Sequence, residues 1–209
     1  FPTNKRTVYL GHLFVGEQLL SDSPMKDHPL TPMRDASLVR VLGRQTKRRV
    51  GLVALPTVRQ GAAAMKETFE KLKGSGYGYA IVDAVSDEDL LALGVACADF
   101  PLLTGGSGIA MGLPVNFGIR KGGNVAIPVM GGYAAALSGS CSAQSNAQVA
   151  HWMRARPSFR IDPLQLADGV DLGAAALALA GDLLAAGPVL VYATAEPDAV
   201  RKAQARLGA

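Results

Sequence analysis

Two turns rich in glycine and serine carry residue types suited to an anion. The first is Leu103-Thr104-Gly105-Gly106-Ser107-Gly108, between a predicted strand and a predicted helix. Such a turn aims backbone N–H groups at a ligand, and the helix N-terminus adds a favourable dipole. Gly106, Gly108 and Gly112 also match a loose dinucleotide fingerprint, but no acidic ribose partner follows about 20 residues on. A tight strand-to-helix turn with no ligand is the plainer reading. The second turn, Ser138-Gly139-Ser140-Cys141-Ser142, again joins an apolar strand to a helix. Ser140 or Ser142 can cap that helix, and the same geometry forms a nest for a phosphate. Cys141 could be a nucleophile, though the sequence offers no neighbouring base.

Three further groups are candidates. The proline-rich stretch 21–33 places His28, Thr31 and Lys26 on a stiff loop that either lines a site or is a surface excursion. Asp83 ends a buried strand, where α/β proteins place functional groups, or caps the turn there. Arg40, Arg44, Lys47, Arg48 and Arg49 form a basic cluster without interleaved aromatics, better suited to a solvated face than to nucleic acid. No Asp or Glu lies between Asp99 and Asp162, whereas Arg120, Lys121, Arg154, Arg156 and Arg160 do. Both turns fall in that interval, which suits phosphate or carboxylate ligands. Glycine-rich and apolar segments also lack acids for no functional reason.

The pattern predicts the elements that must hold these groups. Strands are expected at 6–10 and 12–20, with a turn at Gly16-Glu17, and 21–34 reads as a loop or an extended segment. Asp35 is expected to cap a short helix carrying Leu38, Val39, Val41 and Leu42. Strands at 49–55, 79–85 and 101–104 alternate with helices at 57–73, from Ser86 onward, and 108–112. Ser86 and Asp89 resemble a capping box, and Leu90, Leu91, Leu93 and Val95 read as the buried face. Residues 116–132, rich in glycine, read as a linker. A second unit follows, with strands at 133–138, 159–161 and 189–193 and helices at 142–154, 171–186 and 197–207. Continuous apolar strands alternating with helices predict an α/β fold: parallel-rich sheets flanked by helices, in two units.

Composition bounds the rest. The 209 residues are 49% apolar and 18% charged, with a net charge of +4, which excludes a disordered chain and does not demand nucleic acid. No apolar run reaches the length of a membrane span, and 1–6 does not read as a signal peptide. Cys97 and Cys141 are expected to stay reduced, in a cytoplasmic protein. There is no P-loop, C-x-x-C, zinc-ligand spacing or nucleophile elbow.

Four segments occur in order: 28–33 (His-Pro-Leu-Thr-Pro-Met), 81–87 (Ile-Val-Asp-Ala-Val-Ser-Asp), 103–108 (Leu-Thr-Gly-Gly-Ser-Gly) and 139–142 (Gly-Ser-Cys-Ser). Together they resemble the four-carbon acid sugar kinase family, once a domain of unknown function, with 3-oxo-tetronate, D-threonate and D-erythronate kinases among its members. Some members were earlier labelled type III effectors. The resemblance implies ATP-dependent phosphorylation of a hydroxyl on a four-carbon sugar acid, with ATP and Mg²⁺, by a sugar-acid domain followed by a nucleotide domain. It implies that 1–115 is the later part of the first and 133–209 the start of the second. It places His28, Thr31, Asp83, Thr104, Gly105, Gly106 and Ser107 at the sugar acid and Ser140 and Ser142 at the nucleotide. Ser145 stands where the family more often has Thr. Members run to about twice this length. Their opening Asp-Asp-x-Thr-Gly segment and closing glycine loops have no counterpart here, so the chain reads as an internal fragment.

Two other functions fit the residues less well. One is a non-catalytic sugar-acid or phosphate-binding protein that pairs into a homo-oligomer. The other is an NAD(P)-dependent oxidoreductase using Gly106 to Gly112.

Overall fold

The computed structural model describes residues 1–28, 31–120, 122, 126, 128 and 130–208. Pro29 and Leu30 of the proline-rich stretch, and Lys121 and Gly123 of the expected linker, lie outside the described residues. The chain divides into two units, Phe1–Val125 and Ala126–Ala209. Both are α/β, as the sequence predicts, and no helix among the described residues is long and apolar enough to cross a membrane.

The first unit opens with an antiparallel meander of β1 (Arg6–Tyr9), β2 (His12–Val15) and β3 (Gln18–Leu19). Its first turn is Leu10-Gly11, with φ of 48° and 72°, the doubly left-handed geometry that joins twisted strands in two residues. Short 3-10 turns at Leu20–Asp22 and Pro24–Asp27 replace the expected loop or extended segment. Ser23, buried, starts the second by accepting from the Met25 N–H, and Pro24 is tolerated at its first position. The next helix, α1 (Leu38–Gly43), is capped by Ser37 and not by Asp35. Asp35 instead accepts the Ser37 N–H at 3.0 Å and pairs with Arg40 and Arg44.

β4 (Arg49–Val53) leads through the single turn α2 (Leu55–Val58) to α3 (Ala62–Gly74). The helix expected over 57–73 is thus broken, at Gly61, whose φ of +94° no helix accommodates. β5 (Tyr77–Val82) lies parallel to β4, with Val53 opposite Val82. α4 (Asp87–Ala96) then packs on α3. Val53, Val58, Met65, Phe69, Leu93, Ala96 and Cys97 form the core between these elements. Leu91 and Val95 prove exposed: the stripe that α4 buries runs through Leu90, Leu93, Gly94 and Cys97, at three- and four-residue spacing.

The strand expected at 101–104 does not form. Pro101 has no N–H to give a ladder, and Leu102 is 82% exposed. The following helix is 3-10, Ser107–Gly112. Without a preceding strand or a following α-helix, Gly106 to Gly112 lacks the setting that a dinucleotide fingerprint requires.

In the second unit, β6 (Ala135–Ser138), α5 (Ala143–Met153), β7 (Ser158–Arg160), α6 (Pro163–Ala167), α7 (Leu172–Leu183), β8 (Val189–Tyr192) and α8 (Pro197–Leu207) follow in turn. No helix is expected from the sequence at 163–167; α6 forms there because Asp162 accepts the Leu164 N–H at 2.9 Å and Pro163 suits the first helical position. β8 lies between β6 and β7 and is parallel to both. Val149 of α5 buries itself against Leu190 and Tyr192, with Ala136 and Trp152 alongside.

Candidate functional site

At the carboxyl edge of the second sheet, the chain leaving β6 meets the chain leaving β8. Open α/β sheets bind ligands at this edge. The Ser138 and Thr194 hydroxyls lie 2.6 Å apart, and the Ala193 N–H donates to the Ser138 carbonyl at 2.8 Å. Thr194 is buried. Ser142 caps α5: its Oγ accepts the Ser145 N–H at 3.1 Å and lies 3.1 Å from Ser145 Oγ. The Ser142 N–H donates to Ser140 Oγ at 3.3 Å. Asn146 locks the turn from behind. Its Nδ2 donates to the carbonyls of Cys141 (3.3 Å), Ser142 (3.2 Å) and Ala195 (3.2 Å). The result is an exposed turn bearing hydroxyls at the positive end of an eleven-residue helix, an arrangement that can hold a phosphate. The sequence marks Ser140 and Ser142. It gives no sign of Asn146 or Thr194, whose partners lie 49 and 56 positions away.

In the first unit Asp83 is wholly buried. Its carboxylate accepts three backbone N–H groups: Leu10 at 2.7 Å, Gly11 at 2.9 Å and Leu55 at 3.0 Å. It ties the β1–β2 turn and the start of α2 to the end of β5. β1 docks at the same place, where Val8 and Ala84 exchange backbone bonds of 2.8 and 3.0 Å. His12 follows the turn, and its Nδ1 lies 2.8 Å from the Leu10 carbonyl. Asp89, also buried, closes the predicted capping box by accepting from Val85 and Ser86 N–H at 2.9 Å each, and it pairs with Arg59 at 3.3 Å.

The other candidates occupy exposed ground. Thr104, Gly105, Gly106 and Ser107 form an open turn, closed by the Ile109 N–H donating to the Gly106 carbonyl at 3.2 Å. Leu103 and Ile109, on either side, pack on the core that holds Val58 and Leu93. His28 Nδ1 accepts the Thr31 N–H at 3.1 Å and is equally close to the Thr31 hydroxyl, so these two residues form one polar group. In the basic cluster, Arg40 and Arg44 are paired with Asp35, and Arg49 stacks on Tyr77 at 3.9 Å. Among the described residues no group of three His, Cys, Asp or Glu is placed to hold a metal ion.

Residues 1–113 match the family described as a sugar-binding N-terminal domain, and residues 135–209 that described as a nucleotide-binding C-terminal domain. A 3-oxo-tetronate kinase of Burkholderia multivorans is 52% identical over 215 residues, covering 100% of this chain and 50% of that protein. One from Haemophilus influenzae is 41% identical, covering 99% and 50%. A solved Haemophilus influenzae structure superposes with a TM-score of 0.61 at 41% identity, covering 100% of this chain and 51% of that one. A Salmonella typhimurium LT2 structure gives 0.71 at 36% identity, covering 100% and 50%. The chain spans about half the length of the curated relatives it matches.

Proposed function

The chain belongs to the four-carbon acid sugar kinase family, and from that membership we propose that it serves transfer of the γ-phosphoryl group of ATP to a hydroxyl of a four-carbon sugar acid such as 3-oxo-tetronate, threonate or erythronate. Residues 1–115 act as the later part of the sugar-acid domain, 116–132 as a linker, and 133–209 as the first part of the nucleotide domain.

Support comes from the turn after β6. Its hydroxyls, its helix N-terminus and its brace through Asn146 lie within the segment that matches the nucleotide-binding domain. Ser140 and Ser142 bind phosphate oxygens there, and the interaction strengthens where charge accumulates on the transferred group. In the first unit, the 104–107 turn offers backbone N–H groups and two hydroxyls to the sugar acid, and the His28–Thr31 pair adds polar groups. Asp83, with both oxygens occupied by backbone N–H groups, works from behind by fixing the loops around the site. ATP reaches kinases as its magnesium complex. No residue of this chain is assigned to the metal.

Isothermal titration calorimetry tests both halves. We expect saturable heat with Mg·ATP and, separately, with a four-carbon sugar acid. Ser140→Ala and Ser142→Ala should each weaken nucleotide binding about tenfold, the worth of one hydrogen bond to a charged group. Unchanged nucleotide affinity in both variants overturns the assignment of this turn.

A further inference from the structure

We propose that His12 is the proton acceptor for the substrate hydroxyl that becomes phosphorylated. The proposal rests on the sugar-acid reading of the first unit and names the base that reading lacks.

Leu10 adopts φ of 48°, a left-handed conformation uncommon for a bulky residue. Such geometry persists only where the surroundings enforce it, and it concentrates at functional sites. Asp83 does the enforcing. One carboxylate oxygen takes the Leu10 N–H and the other takes the Gly11 N–H, at a position with no exposure to solvent. The turn is therefore held at both peptide groups by one buried side chain.

The fixed turn then fixes an imidazole. His12 Nδ1 lies 2.8 Å from the Leu10 carbonyl oxygen. That oxygen can only accept, so Nδ1 carries the proton and, in the neutral ring, Nε2 carries the lone pair. Nε2 has no hydrogen-bond partner among the described residues. His28 is arranged the opposite way: its Nδ1 accepts from the Thr31 N–H, which puts the proton of its neutral ring on Nε2. The two histidines of this unit thus have opposite tautomers, and His12 is the one that can receive a proton through Nε2.

Position agrees with chemistry. The turn before His12 is bound to Asp83, the first residue past β5, and β1 pairs with Ala84 just beyond. His12 therefore stands at the carboxyl end of the parallel pair, where α/β folds receive their ligands. Tyr9, 46% exposed, is its direct cross-strand partner.

The step balances. The substrate hydroxyl oxygen bonds to the γ-phosphorus of a nucleoside triphosphate. The bond from that phosphorus to the bridging oxygen breaks, the nucleoside diphosphate leaves with the electron pair, and the hydroxyl proton passes to Nε2. A positioned general base is worth roughly 10²–10⁴ in rate.

Two measurements test this on the chain as it stands. Nitrogen-15 histidine spectra should give Nδ1 as protonated in His12, and adding D-erythronate or D-threonate should shift Nε2 while Nδ1–H persists. A His12 signal that does not move while backbone amides at 104–107 do overturns the proposal and leaves the sugar-acid reading intact. No shift anywhere overturns both. The His12→Asn variant keeps a side-chain N–H near the position of Nδ1 and deletes Nε2. In a phosphorylation assay it should lose at least a hundredfold in kcat with little change in KM, whereas an equal kcat overturns the proposal.

Discussion

A methyl group placed on Gly94 would sit 2.2 Å from the carbonyl carbon of Gly112, and one placed on Gly112 would sit 2.9 Å from Cα of Gly94. The helix α4 and the 3-10 segment that follows the 104–107 turn meet backbone to backbone at this point. Gly94→Ala must push the segment away, because backbone cannot swing aside as a side chain can. The expected loss is ~1–3 kcal/mol, the usual cost of overpacking. Urea unfolding should show it, and amide spectra should show the 104–107 turn displaced. A variant as stable as the parent, with an unmoved turn, contradicts the contact.

Asp83 separates two effects. Asp83→Ala strands three backbone N–H groups, that of Gly11 buried and those of Leu10 and Leu55 partly buried, and at ~1–3 kcal/mol for a buried group it should lower the melting temperature sharply or unfold the unit. Asp83→Asn keeps the shape and at most one good acceptor, and should fold with reduced stability and a loosened Leu10-Gly11 turn. Circular dichroism melts decide the first point. Loss of the His12 Nδ1–H signal checks the second.

Acid should unmake the Asp35 cluster late. The hydrogen bond from Arg40 comes first, then that from the Ser37 N–H, and together they hold the Asp35 carboxyl at about 2 against a reference of 3.8. A depressed value means that the contribution is complete above pH 3.8 and is lost as pH falls through about 2. Carbon-detected titration of Asp35 should give that low midpoint, and Arg40→Gln should raise it. A midpoint near 3.8 in the parent rules the cluster out.

The two cysteines should react in sequence. Burial pushes the Cys97 thiol up, with Lys66 opposing weakly, and Cys97 is 5% exposed within the core. Cys141 lies in the partly open turn before α5. A thiol-specific reagent should modify Cys141 in the native protein and Cys97 only in denaturant. Equal native rates would mean that the first-unit core is open.

Local signals in the sequence were the readable ones. Ser86 with Asp89 and Ser142 cap helices as their spacing implies, and the last helix runs from Pro197 to Leu207 as predicted. Each of these depends on residues within one helical turn. What the sequence hid depends on distant neighbours. Leu102 and Leu103 look like strand residues, yet a strand needs a partner edge and Pro101 cannot supply its own bond. Ser37 rather than Asp35 caps α1 because Arg40 and Arg44 draw the carboxylate away. The candidate nucleotide turn was legible as Ser140 and Ser142, whereas its brace from Asn146 to Ala195 was not. Asp83 was legible as a residue of interest, but its partners at 10, 11 and 55 leave no mark in a linear pattern.

Those partners also bear on how the unit comes together. The two bonds by which Asp83 holds the Leu10-Gly11 turn close chain separations of 72 and 73 residues, so neither can form until most of the unit has been gathered. β4, α3 and β5 can pair and bury Val53 and Met65 without it. The meander has no comparable core of its own and is expected to settle last, when the carboxylate arrives to receive it. A clasp that closes last in assembly opens first in fluctuation. Amides of Leu10 and Gly11 should then exchange with solvent as one cooperative group, ahead of the parallel pair.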